Sequence, residues 1–201
     1  MDQIITHWGQ LDIAVNCAGV FAPRAMYNDR TKETLSLESF QKTIDVNLNG
    51  TFNVCRLAAK EMAKNMPGPS GERGIIITTA SIAATDGAMG SVGYGGAKGG
   101  VASMTLPMAR DLAVCGIRVV AISPGVFNTP MADVLPKKAH LRTMEDIVFP
   151  QRLGQPDEFA HVVQLIAENQ MLNACIIRLD AGLRNQAGNR KTVKEIPNNK
   201  L

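Results

Sequence analysis

With 201 residues, 45% of them apolar, the chain is long enough for one ordinary domain with a substantial core. A net charge of +3 is too slight to mark a nucleic-acid binder, and aromatic residues make up only 4%. The four cysteines, Cys17, Cys55, Cys115 and Cys175, lie in separate apolar runs without CxxC or His clustering; this argues against a metal site and predicts buried free thiols in a reducing compartment.

Ile4, Ile5 and Trp8 have helical spacing, and Gly9 stops that helix. The run 11–16 is short, apolar and bounded by glycines, so it reads as a buried parallel strand. Asn16-Cys17-Ala18-Gly19 then turns the backbone. Residues 21–35 are polar and irregular, a surface loop. Ser36 is a good N-cap for a helix over 37–47, with Glu38 in its first turn. Asn47 sits between Val46 and Leu48, where a buried amide needs hydrogen-bond partners. A second helix over 51–65 places Phe52, Cys55, Ala59 and Met62 on one face.

The sequence Met66-Pro-Gly-Pro-Ser-Gly is turn chemistry. Gly74–Thr79 is a β-branched run and a second central strand. Ala80, Ser81 and a Gly-rich loop over 83–93 follow. Tyr94-Gly-Gly-Ala-Lys98 opens an apolar helix running to Leu112. Tyr94 and Lys98 are spaced i, i+4, so they share a face of that helix. An ammonium beside a phenol favours the phenolate, which predicts a lowered pKa and a proton donor–acceptor working near neutral pH. Gly95, Gly96, Gly99 and Gly100 are weak helix formers, so another backbone or a ligand is expected close by.

Residues 118–123 form a third strand, ended by Pro124-Gly125. The segment 126–155 is a long excursion with few periodic runs, of the kind used as lids and binding loops. Pro156 starts a helix over 157–168, and 175–179 forms a fourth strand. Residues 1–184 then make one domain; 185–201 is polar and basic and reads as a disordered tail. No apolar run reaches the ~18 residues of a membrane span, and Met1-Asp2-Gln3 shows no signal or transit pattern, which leaves a cytoplasmic location open.

Strands alternating with helices predict an α/β fold with a parallel sheet. Ligands of such sheets bind beyond the carboxyl ends of the strands. Three clusters, 16–19, 80–81 and 124–129, converge there beside Tyr94 and Lys98.

Asn16-Cys-Ala-Gly19, Asn47 within Asp-Val-Asn-Leu-Asn-Gly50, Ser81, Tyr94-x-x-x-Lys98 and Pro124-Gly125 with Thr129 occur in one order, and in it the chain resembles the short-chain dehydrogenase/reductase family over about 11–184. The resemblance implies a Rossmann-type doubly wound sheet and hydride transfer between NAD(H) and a secondary alcohol or ketone, such as a 3-hydroxyacyl-CoA or a hydroxysteroid. It makes Tyr94 the general acid/base, with Lys98 lowering its pKa and bonding the nicotinamide ribose. It gives Ser81 the substrate oxygen and Asn47 a relay water. Asn16, Cys17, Ala18, Gly19, Pro124, Phe127 and Thr129 would line the cofactor. It further implies a homo-oligomer, a mitochondrial location and, by analogy alone, an RNA-processing partner.

Family members begin with a β-α-β-α-β half bearing a glycine-rich phosphate turn, and nothing like it precedes residue 11. The expectation is therefore an N-terminally truncated fold of about four strands, with strand 11–16 exposed at the edge. Ala88 and Ser91 depart from the glutamines of similar sequences, and Ala181-Gly182 inverts the usual final turn. Two functions stay open: an NAD-dependent dehydrogenase, or a non-catalytic interaction module that pairs with full-length subunits.

Overall fold

The computed structural model describes residues 1–134 and 137–184. The tail read as disordered lies outside the described residues. Four parallel strands form the main sheet in the order β1 (Ile13–Asn16), β4 (Gly74–Thr79), β5 (Ile117–Pro124), β6 (Ile176–Leu179). These are the four strands expected from the sequence. A small antiparallel ribbon, β2 (Tyr27–Asn28) with β3 (Glu33–Thr34), interrupts the stretch read as loop. Asn28 makes its turn by accepting hydrogen bonds from the N–H groups of Arg30 and Thr31.

Burial explains the strand sequences. Nearly every side chain of β4 and β5 is buried, as in a sheet covered on both faces. Ala14, Cys55, Ala58, Met62, Ile76 and Val119 form one core layer beneath α3 (Gly50–Met62) and α4 (Val92–Leu112). Ile75, Ile77, Val120, Ile122 and Ile166 form the other beneath α6 (Pro156–Glu168). Each fully buried isoleucine contributes roughly 1.5–3 kcal/mol. β1 alternates instead: Ala14 and Asn16 are buried, whereas Ile13 and Val15 are 45% and 40% exposed. As expected, this strand forms the sheet edge.

Helix ends follow their caps. α1 (Asp2–Trp8) stops at Gly9, whose φ is 80°. The Ser36 hydroxyl accepts from the Ser39 N–H and starts α2 (Leu37–Ile44). α6 opens with Pro156 and a Gln155–Glu158 capping box. The Arg152 guanidinium and the Gln155 N–H hold the Glu158 carboxyl down at about 2.

Two expectations need correction. The helices read over 37–47 and 51–65 are one continuous run, α2 passing into α3 through a π-helical turn, Asp45–Asn49. That turn sends the Asn47 amide inward, where it is fully buried. The excursion 126–155 is also less irregular than its sequence suggests, for it carries α5 (Lys137–Asp146). The cysteine expectation holds in part. All four thiols are free, but Cys17 is exposed and only Cys55 is fully buried, where burial pushes its thiol up to about 11.

Ala181 has a φ of 50° and Gly182 a φ of 77°. A Cβ in this left-handed region is strained, and Ala181 carries one. We expect Ala181→Gly to stabilise the fold by about 1 kcal/mol, read as a higher urea midpoint at unchanged m-value. No rise in the midpoint would show that the turn tolerates its alanine without strain.

Candidate active site at the carboxyl edge of the sheet

α4 begins beside the carboxyl ends of β1 and β4, and this places its first turns over the sheet edge. Tyr94 and Lys98 share a face of α4, with the Lys98 ammonium 5.8 Å from the centre of the Tyr94 ring. Lys98 is 3% exposed and donates to the Thr79 carbonyl at 2.6 Å. The Ser81 side chain stands near enough to the Tyr94 phenol to favour its ionised form, and its hydroxyl accepts from the Ala83 N–H at 3.1 Å. Phe21 packs edge-on against Tyr94, ring centres 4.9 Å apart, a wall that the sequence did not reveal.

Gly19 ties Asn47 to this group. A Cβ at Gly19 would come within 2.7 Å of Asn47 Oδ1 and 3.7 Å of Lys98 Nζ. No side chain fits there. The Asn47 amide donates to the carbonyls of Val20 and Thr43, both at 3.0 Å, and accepts from the Val20 N–H at 3.1 Å. It thereby braces the turn after β1 against the π-helical turn.

Ser81, Tyr94, Lys98, Asn47 and Gly19 are thus gathered at one mouth. Cys17 joins them from the end of β1, its sulfur 4.0 Å from Thr79 Oγ1. Ala18 lies between Cys17 and Gly19. The Asn16 side chain turns the other way, toward Cys55 Sγ at 3.7 Å within the core. Pro124 closes β5. Phe127 is engaged elsewhere: it pairs with Gly154, meets the Phe159 ring edge-on at 6.2 Å and lines a cavity of about 180 Å³. That cavity is lined by neither Ser81, Tyr94 nor Lys98. Among the described residues Thr129 Oγ1 donates to the Phe127 carbonyl, at 3.5 Å.

A family model described as "Enoyl-(Acyl carrier protein) reductase", of the short-chain dehydrogenase type, matches residues 1–184. The chain belongs to the short-chain dehydrogenase/reductase family. It is 51% identical over 179 residues to human 3-hydroxyacyl-CoA dehydrogenase type-2, covering 89% of this chain and 69% of that protein. The structure of 3-hydroxyacyl-CoA dehydrogenase type-2 from Mycobacterium avium superposes with a TM-score of 0.86 at 38% identity, covering 92% of this chain and 72% of the other. A 7α-hydroxysteroid dehydrogenase complexed with NADH and 7-oxo glycochenodeoxycholic acid superposes at 0.79 with 25% identity, covering 93% and 69%. The expected family and fold are therefore correct.

The electrostatics of this short-chain dehydrogenase differ from expectation at Tyr94. Its phenol lies above the ordinary tyrosine value because burial outweighs the Ser81 hydrogen bond, the one interaction that lowers it. The Lys98 ammonium, bonded to Thr79 and displaced from the phenol, does not reverse this. Lys98 itself is pushed down to about 8, first by burial, against a smaller upward pull from Cys17.

This depression sets a pH dependence. An unfolded lysine holds its proton to about 10.4, so between pH 8 and 10 the unfolded chain binds more protons at this position than the folded one. Stability then rises with pH there, by up to about 1.4 kcal/mol per unit. Cys55, with its raised value, pulls the opposite way above about pH 9. The difference between wild type and Lys98→Met isolates the lysine. We expect urea titrations at pH 7, 8, 9 and 10 to show the wild type gaining on the variant as pH rises. A constant difference would mean that the ammonium is hydrated.

Proposed function

We propose that this chain binds NAD(H) at the carboxyl edge of its sheet and interconverts a secondary alcohol and its ketone, such as a 3-hydroxyacyl-CoA or a hydroxysteroid. The observation that carries the reading is the meeting of the Ser81 hydroxyl, the Tyr94 phenol and the buried Lys98 ammonium at one mouth. The names of the similar proteins supply the substrate classes, and the NADH-bound neighbour favours the cofactor.

The residues fit such a cofactor. Gly19 keeps the turn after β1 free of a side chain beside Asn47 and Lys98, and among the described residues Lys98 makes one hydrogen bond, which leaves N–H donors for ribose hydroxyls. Asn16, Cys17, Ala18 and Gly19 would run along it through their backbone, with Pro124 and Thr129 toward the nicotinamide; Phe127, turned onto Gly154 and Phe159, stays outside it. When bound, the nicotinamide supplies or accepts the hydride.

The protein's own residues handle the proton and the orientation. Ser81 holds the substrate oxygen by a hydrogen bond. Tyr94 gives that oxygen its proton during reduction and takes it back during oxidation. Ser81, which lowers the phenol's value, favours the phenolate left behind. Asn47 has its amide committed to Val20 and Thr43, so a relay water would use its main-chain carbonyl, which accepts from Thr51 Oγ1 at 2.8 Å and keeps a second lone pair. We further propose that a second copy of the chain covers apolar surface left bare on α3 and α4, where Phe52, Val54, Val92 and Leu106 are exposed.

The direct test is titration of NADH fluorescence with the chain, followed by NADH production from a 3-hydroxyacyl-CoA. Micromolar binding with turnover supports the reading. An absence of binding at millimolar NADH overturns it and leaves the interaction module as the alternative.

A further inference from the structure

Ser81 does not stand on a strand; it begins a short turn, and that turn is held from two sides. On one side it lies against α4, where a Cβ on Gly95 would come within 3.0 Å of the Ala83 carbonyl. On the other side it reaches β6. The Ala83 N–H bonds the Ser81 hydroxyl and the Ala84 N–H bonds the Ser81 carbonyl at 3.0 Å. The N–H groups of Thr85 and Asp86 both return to the Ile82 carbonyl, at 3.1 and 2.8 Å. The segment 81–86 is therefore one closed hydrogen-bonded unit.

Arg178, in β6, grips the far end of that unit. Its guanidinium donates to Asp86 Oδ2 at 2.8 Å and to Thr85 Oγ1 at 3.1 Å. The same fork donates to Asp180 Oδ2 at 2.9 and 2.6 Å and to the Leu183 carbonyl at 3.2 Å. Beneath the ion pairs, Ile82 and Leu183 share an apolar cluster, 4% and 1% exposed. A planar five-donor fork fixes direction as well as distance, which a lysine would not do. The most connected cation near the site thus holds the turn that presents Ser81.

We propose that Arg178 and Asp86 are positioning residues that fix the Ser81 hydroxyl against Tyr94, an inference that rests on the Ser81–Tyr94 pairing of the proposed site. Neither touches the reacting atoms; both act through the 81–86 turn.

The test uses the chain's two tyrosines, Tyr27 and Tyr94. Ultraviolet titration of each variant, with the Tyr94→Phe curve subtracted, isolates the Tyr94 phenol. The groups facing it are Ser81, the Lys98 ammonium and the Phe21 ring. Ser81→Ala raises its midpoint by about one pH unit, the size of one lost charge-assisted hydrogen bond. Asp86→Asn and Arg178→Lys move it in the same direction, and Asp86→Glu, which restores a carboxylate, brings it back. Circular dichroism reports folding, and Arg178→Lys supplies the reading where Asp86→Asn does not fold.

A shift in Ser81→Ala with none in Asp86→Asn or Arg178→Lys overturns the positioning role, even if both variants melt earlier. No shift in Ser81→Ala overturns the Ser81–Tyr94 pairing itself and the inference with it. NADH titration of the same variants reports separately on the cofactor reading.

Discussion

Tyr94→Phe lowers the rate of alcohol oxidation by about 10²–10⁴-fold and leaves NADH binding within a few-fold of wild type. The substitution removes one oxygen and keeps the ring. Its edge-on contact with Phe21 survives, as does the packing of α4 on the sheet. What is lost is the phenol that, on the proposed reading, exchanges a proton with an oxygen held by Ser81. Lys98 cannot substitute, because its ammonium is turned onto the Thr79 carbonyl. The loss should fall on kcat rather than on KM. Stopped-flow measurement of NADH production separates the two. A Phe variant that turns over at the wild-type rate would remove Tyr94 from the chemistry.

Arg118→Met destabilises the fold by about 3–5 kcal/mol, the loss expected when one partner of a buried charge pair is removed. Arg118 is 7% exposed at the start of β5, the end of the sheet away from the site. Its guanidinium pairs with Glu72 and donates to the carbonyls of Ile166, Ala167, Asn169 and Leu172. Those carbonyls end α6 and lead into β6, and the helix supplies no partner for its last ones. Methionine would fill the space but leave Glu72 and the carbonyls unpaired. Arg118→Lys should recover little, since a point charge cannot reach that many acceptors. Urea unfolding checks both variants. A loss under about 1 kcal/mol would mean that water replaces the guanidinium readily.

Several elements were legible because their signals are local. The β-branched run Gly74–Thr79, the Ser36 cap and the Pro156 start each act within a few residues, and the structure keeps all three. The ribbon at 27–34 and helix α5 were missed for the opposite reason. A two-residue strand has no period to detect, and α5 is too polar for an apolar stripe. The π-helical turn was invisible because it inserts no unusual residue. It is recognised only when Asn47 is seen bonded to Val20, far away in sequence.

The candidate site divides along the same line. Residue types and their order marked Ser81, Tyr94 and Lys98, because the chemistry demands a phenol, an ammonium and a hydroxyl. The sign of the Tyr94 shift was not legible, since it depends on burial and on where the Lys98 ammonium points. Nor did the sequence mark Phe21, or Arg178 with Asp86, whose partners lie on other elements.

By itself the amino-acid sequence determined the α/β class, the four parallel strands and the family, because periodicity and motif order are properties of the chain. Only the tertiary structure decided which polar groups meet and which charges are desolvated. Those outcomes depend on distances between residues that the chain keeps far apart and that folding alone brings together.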